Sequence, residues 1–402
     1  MLLAAALLAA CSSGGDQPDT PSGRKPTLAA LDMYIAVPQA GGGTRAVEFP
    51  GDPGDPAEEA SDWDRLTIIV AYTAKQTGDD IYDDAPAKTV YYDTFTKSEF
   101  DCLNADGTLN LAGVEHASSR ISPVVAADGT DTGYRYYTMN LPLGTVRVYG
   151  VTYSSACSDR FDLERMLAAV PADGADHNAD IAGLQISNDY ATESGGTLNA
   201  SRFVSVATGY ALNYRDASAP TPDLAVSKGS ESEMRQYWSM TLHRLAVKLD
   251  IQWDAYGAYN AADGAYTDVA VSQFAYSGGA ATDGGSGYGR LFPYKALHQG
   301  AWPLAAVGGT KAFVNQSAVS KRNGRVYHYL FPDGSADPRI TFTLDTRRTV
   351  GGATDNRTAT YTYVFGTAAP LAPATWYKVA TSISGNTTAA TTISIDKFIT
   401  GN

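Results

Sequence analysis

The five histidines, His116, His177, His243, His298 and His328, stand far apart in the 402-residue chain. None is two or four positions from another, so no pair can grip a metal from one strand or one helical turn. His243 opens an apolar-alternating stretch and reads as a packed or hydrogen-bonded residue. The chain has no G-x-S-x-G, no phosphate-binding P-loop and no HExxH. The glycine-rich run from Gly284 to Gly289 precedes no helical pattern, so it reads as a loop rather than a phosphate cradle. Asp79, Asp80, Asp83 and Asp84 could attract calcium, but they lack the turn glycine and closing glutamate of an EF-hand loop. Trp302 and Trp376 could stack on sugars if exposed. Four N-x-S/T triplets begin at Asn199, Asn315, Asn356 and Asn386. The residues therefore predict no enzyme, no cofactor and no metal. A net charge of -13 with only 18% charged residues argues against nucleic acid, whose phosphates require clustered Lys and Arg.

Two residues invite modification instead. Cys11 ends an apolar leader, Met1 to Ala10, that is too short to span a bilayer as a helix and reads as the core of a secretory signal. Leu8-Ala9-Ala10-Cys11 resembles the bacterial lipobox, in which the cysteine is lipidated. A cleaved signal with an incidental cysteine is the alternative. Several acyl chains on Cys11 would anchor the protein to the outer membrane where one would not. The second residue is Arg45, followed by Ala46. It is the only basic residue in a Pro- and Gly-rich acidic stretch from Pro38 to Asp64. A structureless loop this long inside a compact domain is uncommon and often functional, although Arg45 could equally be an ordinary loop arginine. Cys102 and Cys157 lack CxxC spacing, and whether they pair stays open.

The elements that must position these sites are strands. Thr241 to Trp253 alternates, with Leu245, Val247, Leu249, Ile251 and Trp253 on one face and Arg244, Lys248, Asp250 and Gln252 on the other. It predicts one long strand at the heart of a C-terminal sandwich. Leu31, Met33, Ile35 and Val37 alternate in the same way at the start of the chain. Further strands are expected at 66–73, 88–95 and 203–208, and a hairpin at 134–141 and 145–153 around Pro142-Leu143-Gly144. Residues 161–170 read as the best helix, stopped by Pro171. Later strands are expected near 267–276, 325–331, 339–344, 358–365, 377–383 and 391–398. The length suits two domains. The expected division is a signal at 1–11, a flexible tether at 12–27, an N-terminal β-sandwich at 28–214, a polar linker at 215–233 and a C-terminal β-sandwich at 234–402.

Four segments together carry a resemblance. They are the lipobox with its polar tether, the Thr44-Arg45-Ala46 loop after the first strand, Leu143-Gly144-Thr145-Val146-Arg147-Val148-Tyr149-Gly150-Val151, and Leu242-His243-Arg244-Leu245-Ala246-Val247-Lys248-Leu249-Asp250-Ile251. The chain resembles the fimbrillin superfamily, the type V pilus subunits and anchors of Bacteroidales-type bacteria. That resemblance implies an all-β fold of two transthyretin-like β-sandwich domains with one or two short helices. It implies export as a cell-surface lipoprotein and cutting by a trypsin-like protease between Arg45 and Ala46. The strand bearing Leu31, Met33, Ile35 and Val37 would then be removable, and a strand of another pilus subunit would fill its place. Residues 391–402 are the candidate donor, through Ile393, Ile395 and Phe398, although the alternation slips at Lys397-Phe398-Ile399. The implied function is a structural fimbrial subunit, shaft or tip, with host surface ligands as further partners. The alternatives are an uncut pilus anchor and a surface glycan-binding lipoprotein.

Overall fold

The computed structural model describes residues 27–37, 62–76, 82–193, 199–254, 266–277, 287–298, 311–313, 323–334, 339–350, 352–364, 371–384 and 388–397. The fold is all-β with a few short helices. The first part of the chain forms β1 (Leu28–Ala36), β2 (Arg65–Lys75), β3 (Val90–Thr96), β4 (Val114–Glu115), β5 (Ser119–Val125), β6 (Asp131–Pro142), β7 (Gly144–Tyr153) and β8 (Gln185–Ser187). It continues with β9 (Ala207–Asn213), β10 (Leu224–Val226), β11 (Trp238–Thr241) and β12 (His243–Arg244). The later strands are β13 (Val247–Asp254), β14 (Tyr266–Ser277), β15 (Tyr288–Arg290), β16 (Lys311–Phe313), β17 (Asn323–Leu330), β18 (Arg339–Val350), β19 (Ala353–Val364), β20 (Thr375–Ser384) and β21 (Thr388–Lys397). Five short α-helices are described where one or two were expected: α1 (Lys97–Asp101), α2 (Leu163–Ala168), α3 (Asn178–Ala182), α4 (Ala200–Val204) and α5 (Glu231–Tyr237).

The first sheet runs β3-β2-β7-β9-β11-β1-β6-β5-β4, with β10 beside β7 and β12 beside β9. It curls, and β9 is the corner. Its first half pairs with β7 and its second half with β11. Gly209 sits at that corner, where a Cβ would stand 2.3 Å from the Thr241 carbonyl oxygen. The curl brings Leu66, Ile68 and Val70 of β2 and Val146 and Val148 of β7 into one core with Leu31, Met33 and Ile35 of β1 and Tyr137 and Met139 of β6. The alternate residues of β2 and β7, Ile69, Ala71, Tyr149 and Val151, face a second core. Burial on both faces explains why these two strands are near-continuous apolar runs.

The second core joins earlier and later parts of the chain, from Ile69 to Phe331. Helices α2, α3 and α4 contribute Leu163, Leu167, Ile181, Phe203 and Val204, and the later strands and loops contribute Leu291, Phe292, Tyr329 and Phe331. Phe331 stacks on Phe203 with centroids 4.1 Å apart, and its N–H donates to Asn188 Oδ1 at 2.6 Å. β15 pairs with β8 beside it. A Cβ on Gly289 would stand 2.3 Å from Phe331 Cβ, so only glycine fits there. Beyond this junction, β17-β13-β20-β21 and β16-β14-β18-β19 form two four-stranded sheets.

Several sequence expectations are corrected. The long strand at 241–253 is broken at Leu245-Ala246. His243 and Arg244 pair with β9 in the first sheet, and only the part from Val247 joins β17 and β20. The break falls where Leu245 and Ala246 both enter the second core. The expected polar face is not wet either, because Lys248 and Asp250 are fully buried. The Lys248 ammonium lies 5.2 Å from the centre of the Trp376 ring. β6 and β7 are not a hairpin: β6 pairs with β1 and β5, and β7 with β2, β9 and β10. At Pro142-Leu143-Gly144 the chain passes from one limb of the curled sheet to the other, and a Cβ on Gly144 would stand 2.4 Å from the Ala74 carbonyl oxygen. The polar stretch 215–233 carries β10, paired with β7, and the start of α5. Phe203 lies in α4, and the strand begins only at Ala207. Cys102 and Cys157 are free thiols buried in different cores.

Candidate functional site

β1 carries three of the four residues singled out at the start of the chain, Leu31, Met33 and Ile35, and Val37 follows directly after it. It lies inside the sheet, not at its edge. Leu28 to Ile35 run antiparallel to Pro142 to Arg135 of β6. Tyr34 to Ala36 run parallel to Ser239 to Thr241 of β11, and the Ala36 carbonyl accepts from Leu242 N–H at 2.9 Å. Leu31, Met33 and Ile35 are fully buried and Val37 is 9% exposed. Burying four such side chains contributes roughly 6–12 kcal/mol.

The other face of β1 is also covered. Helix α5 lies over it. Seven residues are too few to form a stable helix alone, and this one is fixed by Met234, which is fully buried in the first core. The next residue, Arg235, donates from Nε to Asp32 Oδ2. Asp32 is 1% exposed, and its Oδ1 has no hydrogen-bond partner. Burial pushes the Asp32 carboxyl up against the opposing pull of the Arg235 hydrogen bond and charge. The Asp32 hydrogen bond in turn raises the Arg235 guanidinium. Beside this pair, Tyr34 and Tyr136 face each other across the strands with ring centres 4.2 Å apart and share a hydrogen bond between their hydroxyls. The Arg235 guanidinium lies 5.6 Å from the Tyr136 ring centre. β1 is therefore held by hydrogen bonds on both sides, a greasy face below and an ion pair above.

The remaining expected site residues are not gathered around β1. Cys11, Arg45, Ala46 and Phe398 lie outside the described residues. Ile393 and Ile395 lie in β21, opposite Val379 and Tyr377 of β20, at the edge of a four-stranded sheet. Trp376 is 1% exposed and offers no platform for a sugar, and Trp302 lies outside the described residues. Asp83 pairs with Lys75 Nζ at 2.5 Å, while Asp79 and Asp80 lie outside the described residues. Among the described residues no cluster of three or more His, Cys, Asp or Glu could hold a metal ion. Among them, too, no helix is long and apolar enough to cross a membrane.

The histidines serve structural ties. His116 Nδ1 lies 2.9 Å from Asp93 Oδ1, and its Nε2 lies 3.5 Å from Glu99 Oε1. Ser119 donates to the same Asp93 carboxylate, and His116 stacks on Phe95 with centroids 4.2 Å apart. Asp93 belongs to β3 and His116 follows β4, so this cluster ties together the two ends of the curled sheet. Burial pulls the His116 imidazole down, but the hydrogen bonds and charges of Asp93 and Glu99 outweigh it and raise its pKa. His177 lies between Asp173 and Asp180, at 2.9 and 2.8 Å. His243 is half-buried, and burial depresses its imidazole.

Sequence reading missed Asp32, Arg235 and the helix that brings them together. One signal was present: an acid interrupting an apolar alternation, with a short charged segment, Glu231 to Arg235, far along the chain. Nothing local links the two.

No protein-family model matches the chain, and no curated protein matches its sequence. Some solved structures show a likeness to it. A putative cell adhesion protein from Parabacteroides distasonis is 11% identical, with 92% of this chain and 97% of that one covered and a TM-score of 0.46. The tip fimbrial protein Mfa3 from Porphyromonas gingivalis, truncated at its C-terminus, is 11% identical, with 91% and 99% covered and a TM-score of 0.38. The fimbrial anchor protein Mfa2 from the same organism is 10% identical, with 92% and 98% covered and a TM-score of 0.35. These values describe a distant likeness over nearly the whole length.

Proposed function

We propose that this protein is a structural subunit of a surface pilus, exported as a lipoprotein on Cys11, whose first strand is exchanged for a strand of another subunit after cutting at Arg45-Ala46. The observation that carries the reading is the seat of β1. A strand near the start of the chain, followed by the long acidic stretch, completes the interior of a sheet through its backbone and three fully buried side chains. Removing it opens unpaired hydrogen-bonding groups on two neighbours and an apolar strip. A replacement strand satisfies both at once.

In this reading a trypsin-like protease is the processing partner, other pilus subunits are the assembly partners, and host surface molecules are the external ligands. The stretch 391–402 with Ile393, Ile395 and Phe398 remains the candidate donor, and β21, which holds Ile393 and Ile395, must first leave β20. A second reading, the uncut anchor, draws on the clamp around β1: α5 and Arg235 hold that strand in the uncut chain.

Limited trypsin treatment of the unlipidated chain, followed by mass spectrometry and size-exclusion chromatography, separates them. A polymerising subunit is cut once after Arg45 and grows into oligomers, and Arg45→Gln abolishes both events. An uncut loop, or a cut chain that stays monomeric, refutes the polymerising subunit and favours the anchor.

A further inference from the structure

The slot that β1 occupies is not uniformly apolar. Its floor takes Leu31, Met33 and Ile35, but its roof presents Arg235 to the residue between the first two. We infer that this slot selects its strand by charge as well as by greasiness: the partner strand that fits it carries apolar residues at alternate positions and a carboxylate in the place of Asp32. The inference rests on the strand-exchange reading and names the chemistry of the partner.

The geometry gives the reason. Asp32 is 1% exposed while the Arg235 side chain is 57% exposed. The guanidinium therefore stays in contact with water when no acid faces it, but a strand residue at this position is sealed beneath α5. An acid there gains a charge-assisted hydrogen bond. A neutral amide loses that gain, and a lysine is both buried and faced by a like charge. Burial is the largest cost to an acid in this position and Glu231 adds a smaller one; the Arg235 hydrogen bond and charge offset part of that cost. The same device fixes register. A one-residue slip turns every side chain of a strand over, and here it would drive the carboxylate into the core among Ile68, Val70 and Tyr137. A strand with the right apolar period but no acid has no such penalty for slipping, so Arg235 distinguishes it from the correct partner.

The test uses the full chain cut once by trypsin between residues 38 and 61, the cut located by mass spectrometry. Fluorescent peptides of residues 28–37 are offered to it, and their exchange for the resident strand is followed by anisotropy. The natural peptide is expected to enter and the Asp32→Lys peptide to bind at least a hundred-fold more weakly, with the Asp32→Asn peptide between them. In a chain carrying Arg235→Glu the order reverses and the lysine peptide is preferred. Equal entry of all three peptides into the natural chain overturns the inference and leaves strand exchange standing. Entry of none overturns strand exchange and the inference with it. The natural chain with three peptides decides the matter even where Arg235→Glu does not fold. The uncut chain gives an independent reading. Arg235→Gln strands a buried carboxylate and should lower stability more than Asp32→Asn, and the double variant should be no worse than Arg235→Gln alone. Strict additivity of the two substitutions would overturn the pairing on which the selection depends.

Discussion

Ile35→Ala measures how firmly the first strand is held. Ile35 is fully buried in the first core, with Arg135 opposite it on β6 and Met240 opposite it on β11. Truncating a fully buried isoleucine costs about 2–5 kcal/mol, because transfer free energy is lost and a cavity remains between well-packed neighbours. In the intact chain the loss is read as a lower denaturation midpoint at unchanged slope. After a single cut in the loop that follows β1, the same free energy separates a bound strand from a free one. Every 1.4 kcal/mol is a factor of ten, so the cut strand should bind on the order of thirty-fold to several-thousand-fold more weakly. Most of that change should appear as faster release. The assay is the rate at which a labelled N-terminal fragment leaves the cut protein in the presence of excess unlabelled peptide. Leu28→Ala is the control, since Leu28 is 43% exposed and its truncation should change both quantities little. The reasoning is refuted if Ile35→Ala and Leu28→Ala release the fragment equally fast, for then the buried face of β1 does not hold it.

Phe331→Ala should lower stability by about 3–5 kcal/mol. It should also uncouple the two halves of the chain, so that the single denaturation transition of the parent becomes two; an unchanged single transition would refute the joint core. His116 contributes through its raised pKa. Its share of stability is complete below the unfolded value of about 6.5 and is lost as pH rises through the higher folded value. The difference in unfolding free energy between the parent and His116→Gln should therefore shrink as pH rises above about 6.5, and a difference that is flat or growing would refute the tie between the sheet ends. In the strand-exchange reading, Arg45→Gln should remove the trypsin cut after residue 45, read by mass spectrometry, and a cut that persists there would refute it.

The period-two signal was enough to find β1, because alternation is a local property of a strand with one dry face. Leu31, Met33 and Ile35 all lie on that face. The crossing of the chain at Pro142-Leu143-Gly144 was not legible. A turn signal reports that the chain changes direction, not which strands the next one will pair with. The segment from Thr241 misled for a related reason: its alternation runs on through Leu245 and Ala246, yet the strand stops there because both residues are claimed by the second core. Lys248 and Asp250 lie on what reads as a solvent face, and tertiary packing buries them.

The sequence by itself determined the β character, the apolar face of the first strand and the charge balance, since each depends on residues within a few positions of one another. Only the tertiary structure decided that β1 lies between β6 and β11, and that Arg235 closes over Asp32 from 203 positions away. Strand pairing and a buried ion pair are contacts between segments remote in sequence, and local residue patterns do not encode which remote segment will meet them.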